Sequence, residues 1–431
     1  MNPLSSMLNN INYGYNITGT HPHKITHLLY MDDLKLLAAT NHQLNHLLRI
    51  TEIFSKDINM TFGIDKCKKN SIVKGKQTKQ EDYILDGNSN YIEAMEKTDD
   101  YKYLGYRQKI GIENANIKEE LKQEYRQRLT KILKTELTAR NKTKAINTYA
   151  IPILTYSFGI VGWSDTDLEG LNTRSQCHKY RIHHIHSATE RFTLNKKEGG
   201  KGFIDIKNLH YGQVDNLRKY FIERAETSNI HKAITHINTS ATPLQFHNQT
   251  YNPSDYITTT DTKKAKWKQK TLHGKHPHHL TQPYIDQEAS NTWLRKGNIY
   301  SETEGFMIAI QDQTINTRYY SKHIIKDPNT TTDKCRLCKQ QIETIDHITS
   351  GCTILANTEY TRRHDNVAKI IHQQLAVQHR LVQQCMPTYK YIPQNVLEND
   401  EYKLYWNRSI TTDKTTPHNK QTSHSPTKRK N

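Results

Sequence analysis

Apolar residues are scarce: 34% of the 431 residues are hydrophobic and the mean hydropathy is -0.86. A chain this polar does not fill one large core, and small packed units joined by polar segments are expected instead. Long hydrophobic runs are missing as well. The best stretch, 145–161, is interrupted by Asn147, Thr148, Pro152 and Ser157, so no membrane association is expected. Residues 1–20 lack both the basic and the apolar region of a secretory signal. Cysteine is sparse, six in all, and three of the six fall within 335–352. That distribution argues against a disulfide framework and for a metal site in a reducing compartment. Acidic residues are outnumbered: 61 Lys and Arg against 43 Asp and Glu leave a formal charge of +18. An excess of that size favours a polyanion, and the phosphate backbone of RNA or DNA is the commonest one; a merely solvated basic surface is the plainer alternative.

What is present is organised. Two short apolar strands flank a turn within residues 24–38. Asn41 is placed to cap a helix carrying Leu44, Leu47, Leu48, Phe54 and Ile58 on one face. Residues 98–110 form a second hairpin. From Ile117, the positions Ile117, Leu121, Tyr125, Leu129, Ile132 and Leu133 recur at helical spacing, with Lys118, Lys122, Arg126 and Lys131 off that stripe. A further helix begins near Lys142 and bends near Pro152. Between 226 and 287 the chain turns to Thr, His, Asn, Gln and Lys with four prolines, which reads as a loosely ordered connector with one short helix. A compact segment resumes at 289–320, and a helix is expected over 358–382.

Two constellations carry chemistry. The first is His27-Leu28-Leu29-Tyr30-Met31-Asp32-Asp33-Leu34-Lys35-Leu36-Leu37, which sets adjacent carboxylates at the tip of an apolar hairpin. Mg²⁺ is a hard cation that prefers such oxygen ligands, and two ions held there would activate a 3′ hydroxyl and steady a leaving pyrophosphate. A turn that merely uses Asp, a common turn residue, is the alternative for the tetrapeptide alone. The second is Cys335-Arg336-Leu337-Cys338, then His347, then Cys352, a C-x2-C-x8-H-x4-C spacing. Three thiolates and one imidazole are a common tetrahedral set for Zn²⁺, and a loop-rich segment with little core would draw much of its folding energy from the metal.

The order of motifs resembles the reverse transcriptase of a non-LTR retrotransposon. Tyr30-Met31-Asp32-Asp33 resembles motif C, Phe62-Gly63-Ile64-Asp65-Lys66-Cys67 motif D, and Tyr101-Lys102-Tyr103-Leu104-Gly105 the motif E primer grip. Asn2-Pro3-Leu4-Ser5-Ser6 looks like the stretch that follows motif B. The cysteine spacing is similar to the zinc knuckle of the class that encodes a restriction-like endonuclease and inserts at fixed targets, often ribosomal RNA genes. Neighbouring residues agree, including Ser187-Ala188-Thr189-Glu190-Arg191, Thr303-Glu304-Gly305-Phe306 and Glu343-Thr344-Ile345-Asp346-His347-Ile348.

The resemblance implies Asp32 and Asp33 as catalytic Mg²⁺ ligands, with Tyr30 and Met31 on the primer and template side. It implies Tyr103, Leu104 and Gly105 as the primer grip, and Cys335, Cys338, His347 and Cys352 as structural Zn²⁺ ligands. Lys66 stands where a proton-donating lysine is found in the family, but a solvated loop lysine is the better account of it. His364 lies outside the ligand pattern. The implied fold is α+β: a partial palm over 1–112, a helical thumb over 113–225, a polar connector over 226–288, a zinc-knuckle region over 289–384, the approach to an endonuclease over 385–419, and a basic disordered tail over 420–431. The implied activity is RNA-directed DNA synthesis primed from a nicked target, with element RNA and target DNA as partners and the nucleus as the parent element's compartment. The family's first catalytic carboxylate, in motif A, precedes motif B, and only 29 residues precede Tyr30. An incomplete active site is therefore expected, its missing half supplied by another chain, or else a non-catalytic, zinc-dependent nucleic-acid-binding role. Beyond Asn419 the resemblance stops, so no nuclease site is expected.

Overall fold

Alternation along residues 27–36 decides how the first part of the chain packs. Strand His27–Tyr30 pairs antiparallel with Asp33–Leu36, Tyr30 opposite Asp33, which leaves Met31 and Asp32 as a two-residue turn. With a period of two, Leu34 and Leu36 share one face and Lys35 takes the other. The leucine face packs on Leu4 and Leu8 of helix Asn2–Asn9 and on Leu47 of helix Asn41–Asp57. That second helix is capped by Thr40, whose hydroxyl accepts from the Gln43 amide, and Asn41 is its first helical residue. The structure, a computed structural model, describes residues 2–17, 21–85, 90–96, 99–171, 173–184, 186–237, 242–248, 250–409, 420–423 and 427–428. It is mixed α and β, and no helix among the described residues is long and apolar enough to cross a membrane.

The chain divides into two compact units, Met1–Asp312 and Gln313–Asn431. In the first, helix Asn114–Leu133 buries Ile117, Tyr125, Leu129 and Leu133 against Ile146, Leu154, Phe158 and Phe203. Its lysines Lys118 and Lys122 reach Asp167 at 2.7 and 3.0 Å. Helix Ala139–Ala145 continues through a π-turn at Ile146–Ala150 into Pro152–Thr155. The change of helical pitch falls just before the proline, which has no N–H to donate.

Two expectations for this unit need correction. Residues 226–288 are not a loose connector. They contain helices Asn229–His236, Thr260–Gln269 and Lys275–Leu280. Trp267 is buried on Ala188 and Leu194, and Lys263, Lys264 and Lys270 pair with Asp205, Glu198 and Glu190. One tryptophan and three ion pairs hold helix Thr260–Gln269 where an apolar stripe normally would. Residues 289–312, expected to accompany the cysteine region, belong instead to the first unit. Helix Ser301–Gln311 carries Glu304 to buried Lys201 at 2.6 Å, and Asp312 follows it to buried Arg191 at 2.9 Å.

The second unit holds the cysteine loops, helix Thr361–Gln378 and a small sheet. His372 is buried in the helix, its Nδ1 2.7 Å from the Tyr391 hydroxyl and its ring edge-on to Trp406. Strand Val396–Glu398 pairs with Tyr402–Ser409. The tail expected to be disordered contributes Lys420–Ser423 and Thr427–Lys428 to the same sheet. An eight-residue strand partnered on one side over only three residues leaves backbone donors and acceptors open, and the tail satisfies some of them. The rest of the tail, and Pro417, His418 and Asn419 at the end of the expected endonuclease approach, lie outside the described residues.

Candidate nucleic-acid and metal sites

The 27–36 hairpin lifts its turn into solvent. Tyr30 is 57% exposed and Met31 74%, and Asp32 and Asp33 are exposed beside them. Met31 takes a φ of 54°, the left-handed region that a two-residue turn demands and that a long side chain adopts only under strain. Behind the turn, Lys35 crosses to the second hairpin, where Tyr101–Tyr103 pairs with Tyr106–Gln108. Its ammonium lies 5.3 Å from the Tyr103 ring centre and 6.0 Å from that of Tyr101, and it donates to Gln108 Oε1 at 2.7 Å. Burial pulls the Lys35 pKa down. Burial, the neighbouring Tyr103 and the Asp33 carboxylate push the Tyr101 hydroxyl up to about 12. The two hairpins thus touch directly.

The second hairpin turns at Leu104 and Gly105, both left-handed at φ 47° and 84°. Glycine adopts that geometry without penalty; leucine does so at a cost of about 1–3 kcal/mol. The Leu104 carbonyl accepts the Tyr156 hydroxyl at 2.8 Å, while Tyr106 stacks on Tyr156 and donates to its carbonyl at 2.5 Å. This anchors the turn to the helical layer. Tyr103 is buried in the hairpin, whereas Gly105 is exposed and Leu104 half-buried. Lys66 is exposed at the end of the single turn Ile64–Lys66.

In the second unit Cys335, Cys338, His347 and Cys352 converge. One ligand atom from each lies within 4.8 Å of the others, and among the described residues this is the group with metal-ligand composition. Ligands about 2.3 Å from a tetrahedral ion stand roughly 3.8 Å apart, so a small contraction closes the shell. The four residues can hold a structural metal such as zinc. Local backbone prepares them. Cys335 N–H donates to the Gln341 carbonyl at 2.8 Å, and Lys339, left-handed at φ 57°, donates to the Cys335 carbonyl at 2.9 Å. The backbone N–H groups of Gln341 and Gln340, with Cys335 and His347, bring the Cys338 thiol down to about 6, which favours the thiolate a metal requires. His347 Nδ1 lies 3.0 Å from Gln341 Oε1, a contact that orients the ring and leaves Nε2 toward Cys338 at 3.4 Å.

Two supporting residues have no signal in the ligand spacing. Glu343 is 2% exposed and accepts from the amides of Arg318 and Arg336 at 2.9 and 2.7 Å. The Tyr360 hydroxyl accepts from the Cys352 amide at 3.0 Å and donates to the Ile348 carbonyl at 2.8 Å. His364 sits beside Asp365 at 3.2 Å, away from the ligand group. No protein-family model matches the chain, and no curated protein matches it. Asp32 and Asp33 have no third acidic or imidazole ligand gathered with them among the described residues.

Proposed function

We propose that this chain is a nucleic-acid-binding portion of a non-LTR retrotransposon reverse transcriptase, of the class that carries a restriction-like endonuclease and inserts at fixed targets. The observation that supports this most is the Lys35 bridge. It ties the hairpin bearing Asp32 and Asp33 to the hairpin bearing Tyr103, Leu104 and Gly105. In a polymerase those two turns must be held together, because one grips the primer end and the other binds the metals that act on it. A formal charge of +18 supplies the attraction for a phosphate backbone. The Cys3His group, filled by zinc, stabilises a second module for the same ligand class.

Within this reading Asp32 and Asp33 are Mg²⁺ ligands that need a further carboxylate for two-metal synthesis. The stretch described here binds; RNA-directed DNA synthesis belongs to an active site completed by other residues. Affinity for a primed RNA template is therefore expected to fall by an order of magnitude or more between 50 and 200 mM salt. Affinity indifferent to salt would remove the electrostatic basis of the proposal. In primer extension with Mg²⁺ the purified chain is expected to add no nucleotides. Synthesis that disappears with Asp32→Ala would overturn the division between binding and catalysis.

A further inference from the structure

The segment 260–282, which the palm, thumb and knuckle reading leaves without a role, carries a dense lysine set that the fold treats in two ways. Lys263, Lys264 and Lys270 are neutralised by Asp205, Glu198 and Glu190. Lys266, Lys268 and Lys275 have no ion-pair partner among the described residues. Two of these, Lys268 and Lys275, stand on a shallow surface groove that the paired Lys270 also lines, together with His278, His279 and Gln282 and no acidic residue. The paired set pins the helix, with Trp267 buried beneath it and the Arg191 guanidinium 4.8 Å from the indole ring. The unpaired set is then held on a fixed frame.

The turn between the helices is equally constrained. Gly274 N–H donates to the Lys270 carbonyl at 2.8 Å, and His278 N–H to the Gly274 carbonyl at 3.1 Å. A Cβ at Gly274 would run into the carbonyl oxygens of Lys270 and Lys268. Close approach of backbone thus fixes the chain between Lys268 and Lys275. Cations spaced by a rigid turn lose little conformational entropy when an anion arrives.

We propose that this groove is a docking surface for the phosphate backbone of nucleic acid, distinct from the two hairpins and from the cysteine module. Charge complementarity selects the occupant: unpaired lysines stand in a lining that holds no carboxylate, which attracts a chain of phosphates and has no like charge to repel it. The inference rests on the nucleic-acid reading above but fails separately from it.

The test uses the full chain and a 20-base-pair DNA duplex, with affinity measured across a salt series. The double variant Lys268→Gln/Lys275→Gln removes two phosphate contacts, so the log–log salt slope is expected to become shallower by about 1.8. Lys268→Arg/Lys275→Arg keeps the charges and is expected to retain the wild-type slope. A glutamine variant whose slope matches that of the wild type overturns the groove while leaving the broader reading in place. A wild-type chain that binds the duplex with no salt dependence removes both. An arginine variant that behaves like the glutamine one also counts against the proposal, because phosphate contacts follow charge.

Discussion

His183 is fully buried, and burial followed by the charges of Lys201, Arg174 and Arg191 pushes its pKa down to about 2, from an ordinary 6.5. His276 and His210 are pushed down to about 3 and about 4, mainly by burial. A base with a depressed folded pKa binds fewer protons folded than unfolded. Its stabilising contribution is therefore complete above pH 6.5 and is lost as the pH falls toward the folded value. Between pH 6.5 and 5 the loss at His183 amounts to about 2 kcal/mol. The Met1–Asp312 unit should melt at a lower temperature at pH 5 than at pH 7, and His183→Leu should narrow that difference. Equal melting temperatures at the two pH values would refute the linkage. Lys35→Met should cost about 1–2 kcal/mol, since it removes a hydrogen bond and a cation–π contact, and should weaken primed-template binding more than binding to unprimed RNA. Equal losses on both would deny Lys35 a positioning role. At this scale the Cys3His group and the Asp-Asp turn were legible, because both are encoded by local spacing. Lys35 was not, because its partner Gln108 lies 73 positions away and a lone lysine on a strand carries no signal of its own.

Helix Thr260–Gln269 shows how an element can form without the usual pattern. Its single buried side chain is Trp267, and the rest of its attachment is electrostatic. Sequence periodicity detects apolar stripes, so a helix held by one indole and three lysine–carboxylate pairs reads as a linker. Helix Asn114–Leu133 was legible because Ile117, Tyr125, Leu129 and Leu133 recur on one face. The difference predicts unequal fragility. Trp267→Ala should cost about 3–5 kcal/mol and expose residues 226–288 to limited proteolysis before helix Asn114–Leu133 is cut. Protease patterns identical to wild type would mean the segment is held by something other than the indole.

The two compact units make different demands on their surroundings. The Gln313–Asn431 unit draws on a Cys3His group, and the Met1–Asp312 unit has its own apolar core. About one zinc per chain is expected by elemental analysis. Chelation should abolish or lower one calorimetric transition and leave that of Met1–Asp312 in place. Both transitions moving together would show that the metal stabilises more than its own unit. The two-unit division itself was only partly visible in the sequence. The compositional shift at 289 suggested a boundary there, whereas the ion pairs of Glu304 and Asp312 carry the first unit on to Asp312.

Those two ion pairs also impose an order of events during synthesis. Lys201 and Arg191 are fully buried, yet their counter-charges Glu304 and Asp312 are separated from them by 103 and 121 positions. At roughly 5–20 residues per second the ribosome needs several seconds or more to bridge such gaps. Until then both cations must stay hydrated, and the pocket that receives Lys201 and Arg191 stays open on that side. A nascent chain of this protein thus passes through a window in which its most buried charges are its most exposed ones. Chaperone occupancy and misfolding risk should peak there and fall once Asp312 emerges.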